Sequence, residues 1–233
     1  MLPQLLLAIL PGLAIAWFIY RLDKYEREHV VPLTMAFCLG MLTTVPVFKL
    51  QEWYYHMGWE DTTTMAATFF SSFILVALNE ETIKFVTLLL FSIRRSSFNE
   101  PIDGIVYSVM ISMGFATLEN VFYAIQFGLP TTAVRAFTAV PAHAVFATMM
   151  GYFVGKARFY PDKRQKMLLW GWLVPVVVHG IYDFFIMQEV YDGLILLAVV
   201  TLIISLYFAF RLIREEQEES PFRPKDDGNA PQV

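Results

Sequence analysis

The run FFSSFILVALNEETIKFVTLLLFSI, residues 69–93, decides the fold. It is long enough to cross a bilayer as a helix, which takes about 20 mostly apolar residues. Its middle nevertheless holds Asn79-Glu80-Glu81-Thr82-Ile83-Lys84. An ionised side chain at the centre of a lipid-facing helix costs about 2.5–3.5 kcal/mol on insertion scales. Two carboxylates and an ammonium so close together therefore imply that other helices or water surround them. The chain reads as a bundle built around this segment.

Composition agrees. Of 233 residues, 57% are hydrophobic and 16% charged, and the mean hydropathy is +0.52, which places the chain among multi-span membrane proteins. The net charge of −4 carries less information than where the Lys and Arg residues fall, and no nucleic-acid partner is expected. A single cysteine, Cys38, excludes an internal disulfide framework. The first apolar run has no charged leader before it and reads as a retained helix.

Working outward from residues 69–93, the expected fold is all-α with seven crossings: 2–20, 30–50, 63–93, 102–126, 133–155, 167–188 and 193–212. A half-helix near Asn79 would make eight. Trp53, Tyr54, Tyr55 and Trp59 suit a headgroup-level aromatic belt. Residues 1–213 form one membrane domain, and the acidic, then Pro-containing stretch 214–233 is expected to be a disordered tail. Orientation follows from the loops. Arg21, Lys24 and Arg27, then Arg94 and Arg95, then Lys156, Arg158, Lys163, Arg164 and Lys166, then Arg211, Arg214, Arg223 and Lys225 fall on one side, whereas 51–62, 127–132 and 189–193 contain no Lys or Arg. The positive-inside rule then puts the N-terminus outside and the C-terminus in the cytoplasm.

Other spans carry polar groups too. The fourth holds Phe115-Ala116-Thr117-Leu118-Glu119-Asn120; the fifth, Arg135 and then Pro141-Ala142-His143; the sixth, Pro175 and then His179-Gly180-Ile181-Tyr182-Asp183. Glu80 with Lys84, and His179 with Asp183, are spaced to share a helix face, as are Glu81 and Lys84. Pro175 removes a backbone hydrogen bond one turn before His179, so a kink is expected there. With residues 62–68 assigned to the interface and the hydrocarbon crossing to 69–93, a rise of about 1.5 Å per residue from the outer ends puts Glu119 about 10 Å deep, His143 and His179 about 15 Å, Asp183 about 8 Å and Glu80, counted from Phe69, about 16 Å. Groups from four helices thus fall in one layer of the outer half. Independent structural ion pairs have no reason to share a depth, whereas a common site does.

Carboxylates and imidazoles around one polar site admit two chemistries. In one, a glutamate activates water while His and Asn stabilise the oxyanion. In the other, two His and a carboxylate hold a metal such as zinc, and a further Glu is the base. The signatures H-E-x-x-H, G-x-S-x-G and G-x-G-D are all missing from the sequence.

Glu80-Glu81-x-x-Lys84, Phe115-x-x-x-Glu119-Asn120, His143 and His179-x-x-x-Asp183, in this order on successive spans, resemble the motif set of the PrsW family of bacterial intramembrane proteases. More distantly, the pattern resembles the CAAX prenyl endopeptidase and bacteriocin-processing superfamily, with Lys84 one residue earlier than the Arg there, Glu119 in place of His and Asp183 in place of Asn. The resemblance implies site-1 cleavage of a single-pass anti-sigma factor during envelope stress, in the bacterial cytoplasmic membrane.

On this reading Glu80 or Glu81 is the base. Glu119, His143 and His179 are metal ligands or oxyanion stabilisers, Asp183 orients His179, and Lys84 sets the charge of the glutamate pair with Asn120 in support. Zinc and a metal-free mechanism both stay open. The competing readings are a proton-coupled transporter using the same groups as a relay, and a non-enzymatic membrane sensor or scaffold. A relay would be staggered through the whole membrane and not gathered at one depth.

Overall fold

The computed structural model describes residues 2–93 and 95–224. They are all-helical, with no strand among them. The helices are α1 (Leu2–Leu22), α2 (Val30–His56), α3 (Met65–Phe69), α4 (Leu78–Phe91), α5 (Ile102–Phe137), α6 (Ala139–Phe159), α7 (Arg164–Met187) and α8 (Ile195–Glu218). A π-helical segment, Phe70–Ala77, joins α3 to α4 without a break.

Five stretches are long and apolar enough to cross a membrane: Leu2–Leu22, Val30–His56, Ile102–Phe159, Pro161–Met187 and Asp192–Glu218. The seven expected crossings differ from this count in two places. The expected span 63–93 is helical over 65–91, but its path changes from α to π and back, and no separate half-helix begins at Asn79. The expected spans 102–126 and 133–155 belong to one nearly continuous helical stretch. The reversal between them is made at Gly128, whose φ of 80° an L side chain rarely adopts. Pro130 follows it, and a second irregularity comes at Thr138.

α5 is the axis of the bundle. From Ile102 to Thr117 every residue is buried, which is the pattern of a helix packed on all sides. Small residues let its neighbours approach backbone to backbone. A methyl on Gly40 of α2 would collide with the Ile111 carbonyl, and one on Gly114 with the Phe37 carbonyl. Gly104 and Gly151 bring α5 against α6 in the same way, as does Gly155 against Pro101. The main core, including Val106, Met113, Phe98, Leu88 and Met150, lies on one half of the bundle. A second cluster, with Phe146, Tyr182 and Leu202, joins α6, α7 and α8.

α7 runs as one helix from Arg164 to Met187 with Pro175 inside it. The last helix continues to Glu218, past the expected start of the tail at Arg214. Its acidic end has a partner: Lys156 Nζ lies 3.1 Å from Glu216 and 2.6 Å from Glu219, with Glu216 fully buried. Residues 225–233 of the expected tail lie outside the described residues.

Candidate active site

The π-helical segment positions the glutamates. Thr64 caps the start of α3, its hydroxyl accepting from Ala67 N–H at 3.2 Å. Ser72 Oγ donates back to the Thr68 carbonyl at 2.8 Å, a bond that competes with the regular helical ladder. Where π gives way to α, Asn79 Nδ2 donates to the carbonyls of Ile74 and Leu75, each at 2.9 Å, and to Tyr54 Oη at 3.1 Å. The first residue of the NEETIK stretch thus satisfies carbonyls that the change of helix type would strand. Beyond it, Glu80, Glu81 and Lys84 all point inward and are at most 2% exposed.

Lys84 Nζ is the hub. It donates to Glu81 Oε1 at 2.8 Å, to Glu80 Oε2 at 3.2 Å and to His143 Nδ1 at 3.2 Å, and lies 4.1 Å from the centre of the Phe115 ring. An ammonium only donates, so His143 Nδ1 accepts and its hydrogen sits on Nε2. That N–H faces Glu119 Oε2 at 3.0 Å. On the other side, His179 Nδ1 lies 2.9 Å from Glu81 Oε1, and its Nε2 lies 3.1 Å from Asp183 Oδ2. Phe146 stacks on the His179 ring with centroids 4.7 Å apart, and the two imidazoles stand 5.3 Å apart, edge to face. Trp172 Nε1 donates to Thr82 Oγ1 at 2.8 Å, which fixes α7 against α4 beside the site.

Every residue singled out in the sequence therefore lies in one connected polar network on α4, α5, α6 and α7. Their places in it differ. Ligand-capable atoms of Glu80, Glu81, His143 and His179 all lie within 4.8 Å of one another, whereas Glu119, expected among the metal ligands, stands behind His143. Asp183 stands behind His179. Asn120 turns toward α1 and donates to the Ala8 carbonyl at 3.2 Å. Arg135, which has no role in the sequence reading, reaches Glu119 Oε2 at 2.7 Å. The signal that could have found it is an arginine in an apolar span, which is as costly there as Lys84 is.

A cleft of about 1340 Å³ opens onto this network. Glu80, His143 and His179 line its floor, and Glu119, Arg135 and Asp183 its walls; its mouth lies between the end of α2, around Gln51 and Tyr55, and the stretch of α5 around Phe127, just before the break at Gly128. Glu81 is enclosed behind them, and its Oε2 is buried without a hydrogen-bond partner. Two imidazoles and two carboxylates within 4.8 Å, one of them with an orphaned oxygen, suit a borderline metal such as zinc in donor type, with the Lys84 ammonium standing among the same atoms.

Residues 28–210 match the family described as PrsW family intramembrane metalloprotease. The chain is 38% identical to the protease PrsW of Bacillus subtilis over 177 residues, which cover 76% of this chain and 79% of that one. It is 35% identical to the protease PrsW of Geobacillus kaustophilus, with 82% and 84% covered, and 34% identical to that of Clostridioides difficile, with 85% of both covered. No solved structure matches. Glutamates and histidines gathered at the floor of a cleft, in a helical chain built to lie in a membrane, thus have the relatives their chemistry suggests: the chain belongs to the PrsW family of intramembrane proteases.

Proposed function

We propose that the chain cleaves a single-pass anti-sigma factor at site 1, near the outer face of the bacterial cytoplasmic membrane, with Glu80 as the base. The observation that carries this reading is the cleft: of the two adjacent glutamates, only Glu80 lines it. Seven crossings fit the chain, since 65–91 is long enough to make one and the reversal at Gly128 separates two more. The segments at the mouth, 51–62 and 127–132, are those free of Lys and Arg, which supports an outward-facing opening with the N-terminus outside.

In this mechanism Glu80 takes a proton from a water held at the cleft floor as the water oxygen bonds to the scissile carbonyl carbon. Glu80 then returns the proton to the amide nitrogen as the C–N bond breaks. Lys84, 3.2 Å from Glu80 Oε2, and the His179 edge supply positive potential where negative charge develops. Asp183 and Glu119 fix the orientation of the two imidazoles, and Glu81 holds both Lys84 and His179. Glu81, His143 and His179 would hold a zinc ion, which when bound supplies Lewis acidity that polarises the carbonyl and makes water more acidic. A relay for proton transport would need ionisable groups through the whole membrane thickness, whereas these converge on one cleft floor.

The test is cleavage of a single-pass anti-sigma factor from the same bacterium, in vesicles. Glu80→Gln should lower kcat by about 10²–10⁴-fold, the usual contribution of a general base. Glu81→Gln and His179→Ala should also abolish turnover while the protein stays folded. Wild-type cleavage by all three variants would end the assignment.

A further inference from the structure

The peptidase mechanism gives no task to the basic side chain that lines the cleft. Among the described residues, Arg135 is the only Lys or Arg on the cleft lining. An uninterrupted helix would put it about 24 Å from Glu119, sixteen residues earlier. Instead the turn at Gly128 folds residues 129–137 back toward the site.

The guanidinium is held from several directions. Nη2 donates to Glu119 Oε2 at 2.7 Å, Nε donates to Asn120 Oδ1 at 3.2 Å, and the Tyr123 ring centre lies 3.7 Å from its carbon. Asn120 is itself tied to the Ala8 carbonyl of α1. Glu119 Oε2 is also the oxygen that faces His143 Nε2. A glutamate has three side-chain torsions, and one bond to a histidine does not fix them. A second bond, from a planar donor whose own plane is set by Asn120 and Tyr123, does.

We propose that Arg135 is a positioning residue of the peptidase site: through Glu119 it holds the His143 ring so that Nε2 carries the hydrogen and Nδ1 faces Lys84 and the glutamate pair. This rests on the peptidase reading above. Lysine is no substitute, because a point charge on a flexible stem cannot bind Glu119 and Asn120 in one plane. Gripping substrate is a different role, which would show in KM and not in kcat.

The experiment uses the full-length protein in vesicles with the same single-pass substrate. Arg135→Ala should lower kcat by about 10–100-fold, as loss of an outer-shell partner of a functional histidine does, and leave KM within about twofold. Added guanidinium or ethylguanidinium should restore part of kcat to Arg135→Ala and none to Glu119→Gln. The double variant Arg135→Ala/Glu119→Gln should be no slower than Glu119→Gln alone, since residues acting as one unit are not additive. Should Arg135→Ala fail to fold, Arg135→Lys carries the test, with the same fall in kcat expected. A wild-type kcat in Arg135→Lys, a raised KM with kcat intact, or additive losses would overturn the proposal. Glu80→Gln in the same assay separates the two readings: if it cleaves at the wild-type rate, the peptidase site itself is wrong, whatever Arg135 does.

Discussion

Replacing Lys84 by Met tests the central geometry most directly. The ammonium lies 2.8–3.2 Å from Glu80, Glu81 and His143 and is 2% exposed. Without it, Glu81 keeps only His179, and Glu80 keeps only a long 3.5 Å contact from Gln51. Removing one partner of a buried ion pair costs about 3–5 kcal/mol, because the charge left behind stays desolvated. At about 2–4 °C per kcal/mol for a chain of this size, the unfolding midpoint should fall by about 6–20 °C. The double variant Lys84→Met/Glu80→Gln should recover most of that loss, since it removes the stranded charge while Glu81 remains bonded to His179. Lys84→Met/Glu81→Gln should recover less, because it also strips His179 of an acceptor. Thermal unfolding of detergent-solubilised protein, followed by tryptophan fluorescence, measures all three. An unchanged midpoint in Lys84→Met, or equal recovery by the two double variants, would refute the assignment of Lys84 as the hub.

Three further outcomes follow from separate parts of the structure. A methyl at Gly180 would overlap the Phe73 ring, itself stacked on Phe69 with centroids 4.4 Å apart. Gly180→Ala should therefore cost about 1–3 kcal/mol and slow cleavage by shifting the neighbouring His179, and Phe73→Leu in the same chain should restore both. In the loop after α1, burial, reinforced by Glu100, Glu28 and Glu26, pushes the Asp23 carboxyl from 3.8 up to about 7 against the bond it accepts from Glu28 N–H. The folded chain then binds this proton more tightly than the unfolded one, so stability falls as pH rises from about 4 to about 7 and is level above. The unfolding midpoint should be lower at pH 8 than at pH 5, and Asp23→Asn should narrow that gap; an unaltered gap would show that Asp23 does not contribute. Elemental analysis should find zinc lost with activity on chelation, and less zinc bound by Glu81→Gln than by Glu119→Gln; equal contents would return Glu119 to the ligand set.

Much of the site was legible because burying charge in an apolar run is expensive, and Glu80, Glu81, Lys84, Glu119, His143, His179 and Asp183 all stand out for that reason. Counting residues from helix ends also placed them in one layer. Depth, however, says nothing about direction around a helix axis. The layer therefore could not tell that Glu81 lies among the ligand-capable atoms and Glu119 one step behind them. Arg135 was hidden by distance along the chain, and only the reversal at Gly128 brings it to Glu119. The π segment was illegible for a different reason: Phe70–Ala77 is apolar or Ser throughout, so a change of helical period leaves no contrast to read. Hydropathy found the cores of α1, α2, α7 and α8 but stopped α8 early, because the acids that end it look solvated until Lys156 is seen beside them.

The glycines that seat α2, α5 and α6 against one another have a mechanical consequence. Where backbone meets backbone, as at Gly40, Gly104, Gly114, Gly151 and Gly155, there is no side chain to swing aside and no slack to take up. Glu119 and His143 therefore ride on a fixed jaw. α7 meets the π segment and α4 through side chains instead, with the Phe73 ring against Gly180 and Trp172 bonded to Thr82. Of the groups on the cleft floor, His143 thus sits on a backbone-seated helix, whereas Glu80 and His179 sit on helices whose mutual seating rests on side chains that a single substitution can change.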